Sequence, residues 1–289
     1  MTKLLVVRLS ALGDVIHTIP AVVALRERYD DIAWAVETPY RELVEIVAKV
    51  KAIPVSLKKW SLTNVNDARK NVRGFDVAID FQGLIKSALL ARVSGAKERI
   101  GFAQKHIKEK PAAWFLTREV NIDASKHVVD WNLQLAGVTT MPEVDFAPFA
   151  TGELDSGGAV ILLPGAGRPE KIWPAERFRA LAQRLGDRAL VVWGPGEEER
   201  ARAIGARMTP KTSLRELAKL LKTASLVIGG DTGPLHLADA LGTKVIGLHG
   251  PTNPRRNGPY SQLHRCISTY GTTKRMESIE VDDVLAMIE

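Results

Sequence analysis

One stretch near the start of this 289-residue chain, RLSALGDVIHTIP at residues 8–20, places a single carboxylate among small and apolar residues. Asp14 follows Gly13 directly, in a predicted loop between a buried strand and a helix. An aspartate at such a place can remove the proton of a bound hydroxyl group, which is general base chemistry. It can equally be a turn or N-cap residue, with Thr18 capping the helix and Pro20 in the first turn. Spacing alone favours this structural role.

A second stretch, GGDTGPLHLADALG at residues 229–242, contains the residue types of a phosphate site. Asp231, Thr232 and Gly233 lead from a predicted strand into a helix, and His236 follows in its first turn. Free N–H groups and the positive end of the helix dipole bind a phosphate without a metal ion. A capped turn beside a solvent-facing histidine explains the same pattern, and the pattern does not decide between the two.

Two further loops hold charged residues that have an ordinary structural explanation. Lys171 lies in PGAGRPEKIWP, residues 164–174, and a loop lysine is usually solvated. Glu197 opens an acidic run in WGPGEEERA, residues 193–201, where acidic residues typically compensate a helix dipole. The first loop lacks the third glycine of a dinucleotide-binding motif, and the sequence has neither a P-loop nor a D-x-D motif. A dehydrogenase and a P-loop NTPase are therefore not expected.

Short β-rich runs alternate with helical patterns along the chain, which is typical of parallel sheets built from βαβ units. Strands are predicted at 3–8, 32–37, 51–57, 76–80, 98–102, 159–163, 189–193, 226–229 and 244–248. Helices are predicted near 18–29, 39–48, 65–73, 84–94, 125–136, 174–186, 213–223 and 279–288. A turn-rich segment, 139–158, separates the two halves. We expect an α/β protein of two Rossmann-like doubly wound domains, 1–150 and 151–289, which face each other across a cleft, with ligands beyond the carboxyl ends of the strands.

Composition excludes several other classes. The formal net charge is +7, and the basic residues are spread over both halves, so no nucleic-acid-binding tail is expected. The single cysteine, Cys266, excludes an internal disulfide and a cysteine-based zinc site. No signal peptide and no apolar run of membrane-spanning length is visible, which predicts a soluble, cytoplasmic protein.

Together with DFQGLIKSALLAR at 80–92 and KVIGLHGPTNP at 244–254, these stretches resemble, in the same order, the bacterial lipopolysaccharide heptosyltransferases. The resemblance covers nearly the whole chain. His17-Thr18-Ile19-Pro20 and QGLIKSAL resemble the members that add the first heptose to Kdo-lipid A.

The resemblance implies a GT-B fold and an inverting transfer that needs neither a cofactor nor a metal. The C-terminal domain would bind ADP-L-glycero-β-D-manno-heptose, and the N-terminal domain would bind the Kdo acceptor. By their place in the motifs, Asp14 corresponds to the catalytic base and Lys171 to the lysine at the donor phosphates. Glu197 corresponds to an acid at the nucleoside or sugar. The remaining donor-loop residues are Asp231, Thr232, Gly233 and His236. On the acceptor side the corresponding residues are Ser10, Lys58, Lys59 and Lys108.

A lipid-linked acceptor further implies peripheral binding to the cytoplasmic face of the inner membrane. The basic loops 58–60 and 105–110, with Trp60 and Trp114 nearby, are the candidate contacts. The family pattern also allows the last helix to pack back on the N-terminal domain.

Two alternatives remain open at this point. A later heptosyltransferase, or another GT-B enzyme with a different nucleotide-sugar, would share most of these motifs. A non-catalytic nucleotide-binding protein would share the fold, although it has no need of a carboxylate at Asp14.

Overall fold

The computed structural model describes residues 2–55 and 70–288. The chain divides into two compact units, Met1–Asp145 and Phe146–Glu289. Each contains one parallel sheet of six strands within the described residues. In that part of the chain, no helix is long and apolar enough to cross a membrane.

The sheet of the first unit has the strand order β3-β2-β1-β4-β5-β6. Its strands are β1 Lys3–Val7, β2 Asp31–Val36, β3 Lys51–Pro54, β4 Val77–Asp80, β5 Glu98–Phe102 and β6 Arg118–Val120. Its helices are α1 Leu12–Leu25, α2 Arg41–Leu43, which continues into a π-helical turn Val44–Ala48, α3 Ile85–Val93 and α4 Val128–Leu135. The central strands are continuous apolar runs because helices cover both faces of a parallel sheet. Residues 65–69 of the predicted helix 65–73 lie outside the described residues, and of the remaining four, residues 70 and 71 are helical.

The start of α1 corrects the sequence analysis. The helix begins at Leu12 instead of near Thr18, so Asp14 lies in its first turn and not in a loop. Asp14 provides a hydrogen-bond acceptor at the start of the helix, because its Oδ2 accepts the backbone N–H of Ala11 at 3.3 Å. Thr18 is fully buried within the helix and donates its hydroxyl proton to the backbone oxygen of Asp14 at 2.8 Å. Thr18 is therefore not an N-cap, and Pro20 lies inside the helix.

The sheet of the second unit has the strand order β12-β11-β10-β7-β8-β9. Its strands are β7 Val160–Leu163, β8 Ala189–Val191, β9 Arg207–Met208, β10 Leu226–Gly230, β11 Val245–His249 and β12 Cys266–Ser268. Its helices are α5 Ala175–Leu185, α6 Glu198–Ile204, α7 Leu214–Thr223, α8 Gly233–Ala240, α9 Pro254–Asn257 and α10 Val281–Ile288.

The last helix, α10, belongs to the core of the second unit. Val284 is fully buried in the cluster that also contains Trp173 and Phe178. The indole of Trp173 donates to the backbone oxygen of Ile279 at 3.0 Å, just before α10 begins. This core packs against one face of the sheet of the second unit. Because all strands of a sheet run in the same direction, the loops that follow their carboxyl ends meet at one edge.

Candidate active site

In the first unit, Asp14 is held by a buried cation. Asp14 Oδ1 lies 2.6 Å from Nη2 of Arg8, the residue that follows β1. The side chain of Arg8 is only 11% exposed, whereas that of Asp14 is 39% exposed. The carboxylate is therefore oriented by Arg8 and still partly exposed to solvent, as a general base for an incoming substrate must be.

The loop after β4 supports this arrangement. Asp80, at the end of β4, is buried and accepts the N–H groups of Gln82 at 2.9 Å and Gly83 at 3.2 Å. Ser87 donates its hydroxyl proton to Asp80 at 2.9 Å. Burial raises the pKa of Asp80 to about 6, although these hydrogen bonds and the charge of Arg8 oppose the rise. The QG motif at residues 82–83 is thus held in place by Asp80 at the carboxyl end of β4.

The predicted acceptor residues are only partly described. Ser10 is half-buried in the segment between β1 and α1, four residues before Asp14. Lys108 is exposed in the loop after β5, two strands away from β1 in the sheet. Lys58 and Lys59 lie outside the described residues. The structure therefore places Ser10 at the edge that carries Asp14, and Lys108 further along it.

In the second unit, three predicted residues, two from loops and one from the first turn of α8, form one buried network. Lys171 Nζ lies 2.6 Å from Asp231 Oδ2, and His236 Nε2 lies 3.1 Å from Asp231 Oδ1. Their side chains are 18%, 9% and 3% exposed for Lys171, Asp231 and His236 respectively. Neither ordinary expectation holds: the lysine is not solvated, and the histidine does not face solvent.

His236 and Lys171 both affect the ionisation of Asp231. Burial by itself would raise the pKa of Asp231, but the hydrogen bond and charge of His236 and the charge of Lys171 outweigh burial. The pKa of Asp231 therefore lies well below its usual range, and the carboxylate stays ionised. The ionised Asp231 lies between the nitrogens of Lys171 and His236 and keeps both side chains in place at the N-terminus of α8.

The N-terminus of α8 completes an anion-binding geometry. Thr232 is the N-cap residue with extended backbone, and its side chain makes no capping hydrogen bond. Its Oγ1 is buried and has no hydrogen-bond partner among the described residues. Gly233 opens the first turn, where backbone N–H groups lack helical acceptors, whereas Pro234 has no N–H. An orphan hydroxyl, free N–H groups and a nearby lysine are the donors that a phosphate needs.

Glu197 lies at the same edge, in the loop after β8. Its carboxylate accepts the N–H of Gly194 at 2.8 Å, and it precedes α6 as the N-cap residue. The carboxylate packs so tightly on Gly165 that a Cβ there would lie 1.8 Å from Oε1 of Glu197. Gly165 is a glycine for this reason, and the two loops after β7 and β8 meet through this contact. The position at a helix N-terminus agrees with the dipole explanation and adds a contact between loops.

The sequence analysis missed His249, the last residue of β11. The residue is fully buried, and its Nδ1 lies 3.1 Å from Thr252 Oγ1. Burial lowers its pKa to about 4, with the charges of His236 and Lys171 adding to the effect and Asp231 opposing it. His249 is therefore uncharged at neutral pH. Burial likewise raises the pKa of Cys266 to about 12, so its thiol stays protonated.

Within residues 2–55 and 70–288, no group of three or more His, Cys, Asp or Glu side chains could hold a metal ion. Lys171 and the N-terminus of α8 are positive groups that this edge offers to a bound anion.

One parallel α/β unit with a phosphate-type site and a second unit with a carboxylate held by an arginine are parts that an enzyme for a phosphate-bearing substrate needs. Residues 68–283 match the family model of glycosyltransferase family 9 (heptosyltransferase). The lipopolysaccharide heptosyltransferase 1 of Escherichia coli strain K12 is 31% identical over 291 residues, covering 90% of this chain and 91% of that enzyme. The Pseudomonas aeruginosa protein of the same description is 33% identical over 296 residues, covering 91% and 83% of the two chains.

A solved structure of the E. coli heptosyltransferase WaaC with ADP-2-deoxy-2-fluoro heptose matches with a TM-score of 0.81 and 27% identity over 99% of both chains. The chain therefore belongs to glycosyltransferase family 9, the heptosyltransferases. The family and the fold class predicted from the motifs are confirmed.

Proposed function

We propose that this chain is a metal-independent, inverting heptosyltransferase. It transfers L-glycero-D-manno-heptose from ADP-L-glycero-β-D-manno-heptose to a Kdo residue of Kdo-lipid A. The observation that carries the proposal is the buried Lys171–Asp231–His236 network at the N-terminus of α8, in a chain of this family. The relatives described as heptosyltransferase 1 and the WaaC structure with a fluorinated ADP-heptose support the choice of donor.

On this proposal the second unit holds the donor. The N–H groups at the start of α8, the Thr232 hydroxyl and Lys171 take the diphosphate. Lys171 is oriented by Asp231, so its charge is in place before the substrate arrives. As the bond between the heptose and ADP breaks, negative charge grows on the diphosphate, and these preorganised donors stabilise it. Glu197 lies one strand further along the edge, where it can contact the nucleoside or the sugar.

The first unit supplies the base. Asp14 accepts the proton of the Kdo hydroxyl while that oxygen bonds to the anomeric carbon of the heptose and the carbon–oxygen bond to ADP breaks. A β-linked donor and an α-linked product require one inversion, for which one carboxylate is sufficient. The exposed side of Asp14, opposite Arg8, is where the acceptor hydroxyl binds.

The lipid acceptor places the enzyme at the cytoplasmic face of the inner membrane as a peripheral protein. Trp114 is 78% exposed, in a segment that follows the exposed Lys105 and Lys108. An indole with lysines beside it suits an anionic interface, to which each basic residue contributes about 1 kcal/mol. Trp60, the other candidate, lies outside the described residues.

A donor panel tests the proposal. Purified protein is incubated with ADP-heptose, ADP-glucose, UDP-glucose and UDP-N-acetylglucosamine, each with a Kdo-containing acceptor, and products are followed by mass spectrometry. Transfer from ADP-heptose in preference to the others is expected. Preference for another nucleotide-sugar would replace the donor assignment, and nucleotide binding without any transfer would favour a non-catalytic protein.

A further inference from the structure

Arg8 is a buried cation beneath Asp14, and its guanidinium is held on two sides. Nη2 pairs with Asp14 Oδ1 at 2.6 Å, and Nη1 donates to the backbone oxygen of Phe81. Nε is buried and has no hydrogen-bond partner among the described residues. A planar guanidinium with partners on two elements has little rotational freedom. Its position is therefore a fixed reference for the carboxylate that it contacts.

The segment that carries Arg8 is itself fixed by the loop after β4. The N–H of Leu9 donates to Gln82 Oε1 at 2.7 Å, and the backbone oxygen of Arg8 accepts the indole N–H of Trp34 at 3.0 Å. Gln82 is in turn held through its own N–H by Asp80 at 2.9 Å. The chain of contacts runs from a buried carboxyl group, through one amide side chain, to the backbone beside Arg8.

The two oxygens of Asp14 have different surroundings as a result. Oδ1 is engaged by Arg8 at 2.6 Å, whereas Oδ2 accepts the backbone N–H of Ala11 at the longer distance of 3.3 Å. A weakly bound oxygen on a side chain that is 39% exposed is free to accept a proton. The strongly bound oxygen determines the direction in which the other one points.

We propose that Arg8 is a positioning residue for the catalytic base: it holds Asp14 by Oδ1 and so presents Oδ2 to the acceptor hydroxyl. The inference rests on the proposed function, because it takes Asp14 as the base of the transfer. Arg8 acts through Asp14 and touches neither the donor nor the acceptor. The loop residues Asp80 and Gln82 contribute indirectly, because their hydrogen bonds fix the backbone beside Arg8.

A double-mutant cycle tests this role. Arg8→Met removes the charge at similar length, Asp14→Asn removes the base, and the double variant combines them. Transfer is measured with the nucleotide-sugar that the wild type uses best. With Asp14 present, Arg8→Met should lower kcat at least 10-fold while the KM for the donor changes less than about 3-fold. In the Asp14→Asn background, Arg8→Met should change kcat by less than about 3-fold, because no base is left for Arg8 to position.

Two controls accompany the cycle. Arg118→Met breaks an exposed pair between Arg118 on β6 and Glu98 on β5, and it should leave kcat unchanged. Arg8→Lys keeps the charge, so it should lose less activity than Arg8→Met. It should still be less active than the wild type, because its single nitrogen has to serve both Phe81 and Asp14. If Arg8→Met unfolds, as judged by circular dichroism and thermal melting, Arg8→Lys replaces it in the same cycle, and its smaller loss of kcat should likewise disappear in the Asp14→Asn background.

Three results would overturn the inference, and they are distinguishable. Equal losses of kcat in both backgrounds would make Arg8 a structural residue. A higher KM for the acceptor in both backgrounds, with kcat preserved, would make it a direct acceptor contact. A wild type that transfers nothing from any donor of the panel would refute the proposed function, and the positioning role with it.

Discussion

Replacing Lys171 by methionine removes the lysine charge from the donor network and leaves the rest of the side chain almost isosteric. The wild-type pair is short, at 2.6 Å, and its side chains are only 18% and 9% exposed. Solvent therefore screens it much less than a surface pair, for which about 0–1 kcal/mol is typical. A buried charge-assisted contact is worth about 1.5–3 kcal/mol. If the lysine contacts the diphosphate, the loss corresponds to roughly 10- to 150-fold in donor kcat/KM.

The assay is ADP binding by isothermal titration calorimetry, together with kcat/KM for the donor. Lys244→Met is the matched control, because Lys244 is exposed before the amino end of β11, at the opposite edge of the same sheet. We expect Lys171→Met to weaken ADP binding and to leave the acceptor KM unchanged. A Lys171→Met protein that binds ADP as tightly as the wild type, and as tightly as the Lys244→Met control, would refute the assignment of Lys171 to the phosphates.

Two substitutions in the first unit and one change of conditions test other parts of the site. Asp14→Asn should lower kcat 100-fold or more with ADP affinity within about 3-fold, measured by mass spectrometry and calorimetry; an equal loss of ADP binding would make Asp14 a structural residue. Asp80→Asn should be more stable than the wild type at pH 8 in urea unfolding. The reason is that the folded-state pKa of about 6 exceeds the ordinary value of 3.8, so the stability linked to Asp80 is full below pH 4 and is lost as pH rises through 6. The difference is at most about 3 kcal/mol and should vanish near pH 4; a variant that is less stable at every pH would contradict it. Transfer should be unchanged in EDTA, and activity that is lost in chelator and restored by Mg²⁺ or Mn²⁺ would show that the helix terminus and Lys171 do not suffice.

The alternation of strands and helices could be predicted because the central strands are buried on both faces. KLLVV in β1 and LVIGG in β10 are continuous apolar runs, and burial in a parallel sheet explains such runs at this length. The strands that were missed, β6, β9 and β12, have two or three residues each and lie at sheet edges. An edge strand of that length has too few residues to show a pattern.

The start of α1 was mispredicted because its capping signal is unusual. Thr18 and Pro20 resemble a helix start, whereas the true N-cap, Ala11, has no side-chain oxygen. Asp14 replaces it from inside the helix by accepting the N–H of Ala11. The residue singled out for chemistry thus also has a structural role, but not the turn or N-cap role that spacing alone favoured.

Pairings between distant residues lay beyond what the sequence shows. Lys171 and Asp231 are 60 residues apart, and their contact depends on β7 and β10 being neighbours in the sheet. Arg8 was overlooked, although a cation directly after an apolar strand, beside a strand that ends in Asp80, is a visible signal. His249 was overlooked because a histidine at the end of an apolar run has the same pattern whether it lies in the core or in a site.

The most direct test of the account is a transfer assay on the intact acceptor. The purified protein is incubated with ADP-heptose and Kdo-lipid A. A parallel reaction contains ADP-heptose and a Kdo-lipid A that already carries one heptose. The masses of the products are measured by mass spectrometry. The account predicts the addition of a single heptosyl residue to Kdo-lipid A, and little reaction of the heptosylated acceptor. Transfer only to the heptosylated acceptor, or to neither, would contradict it.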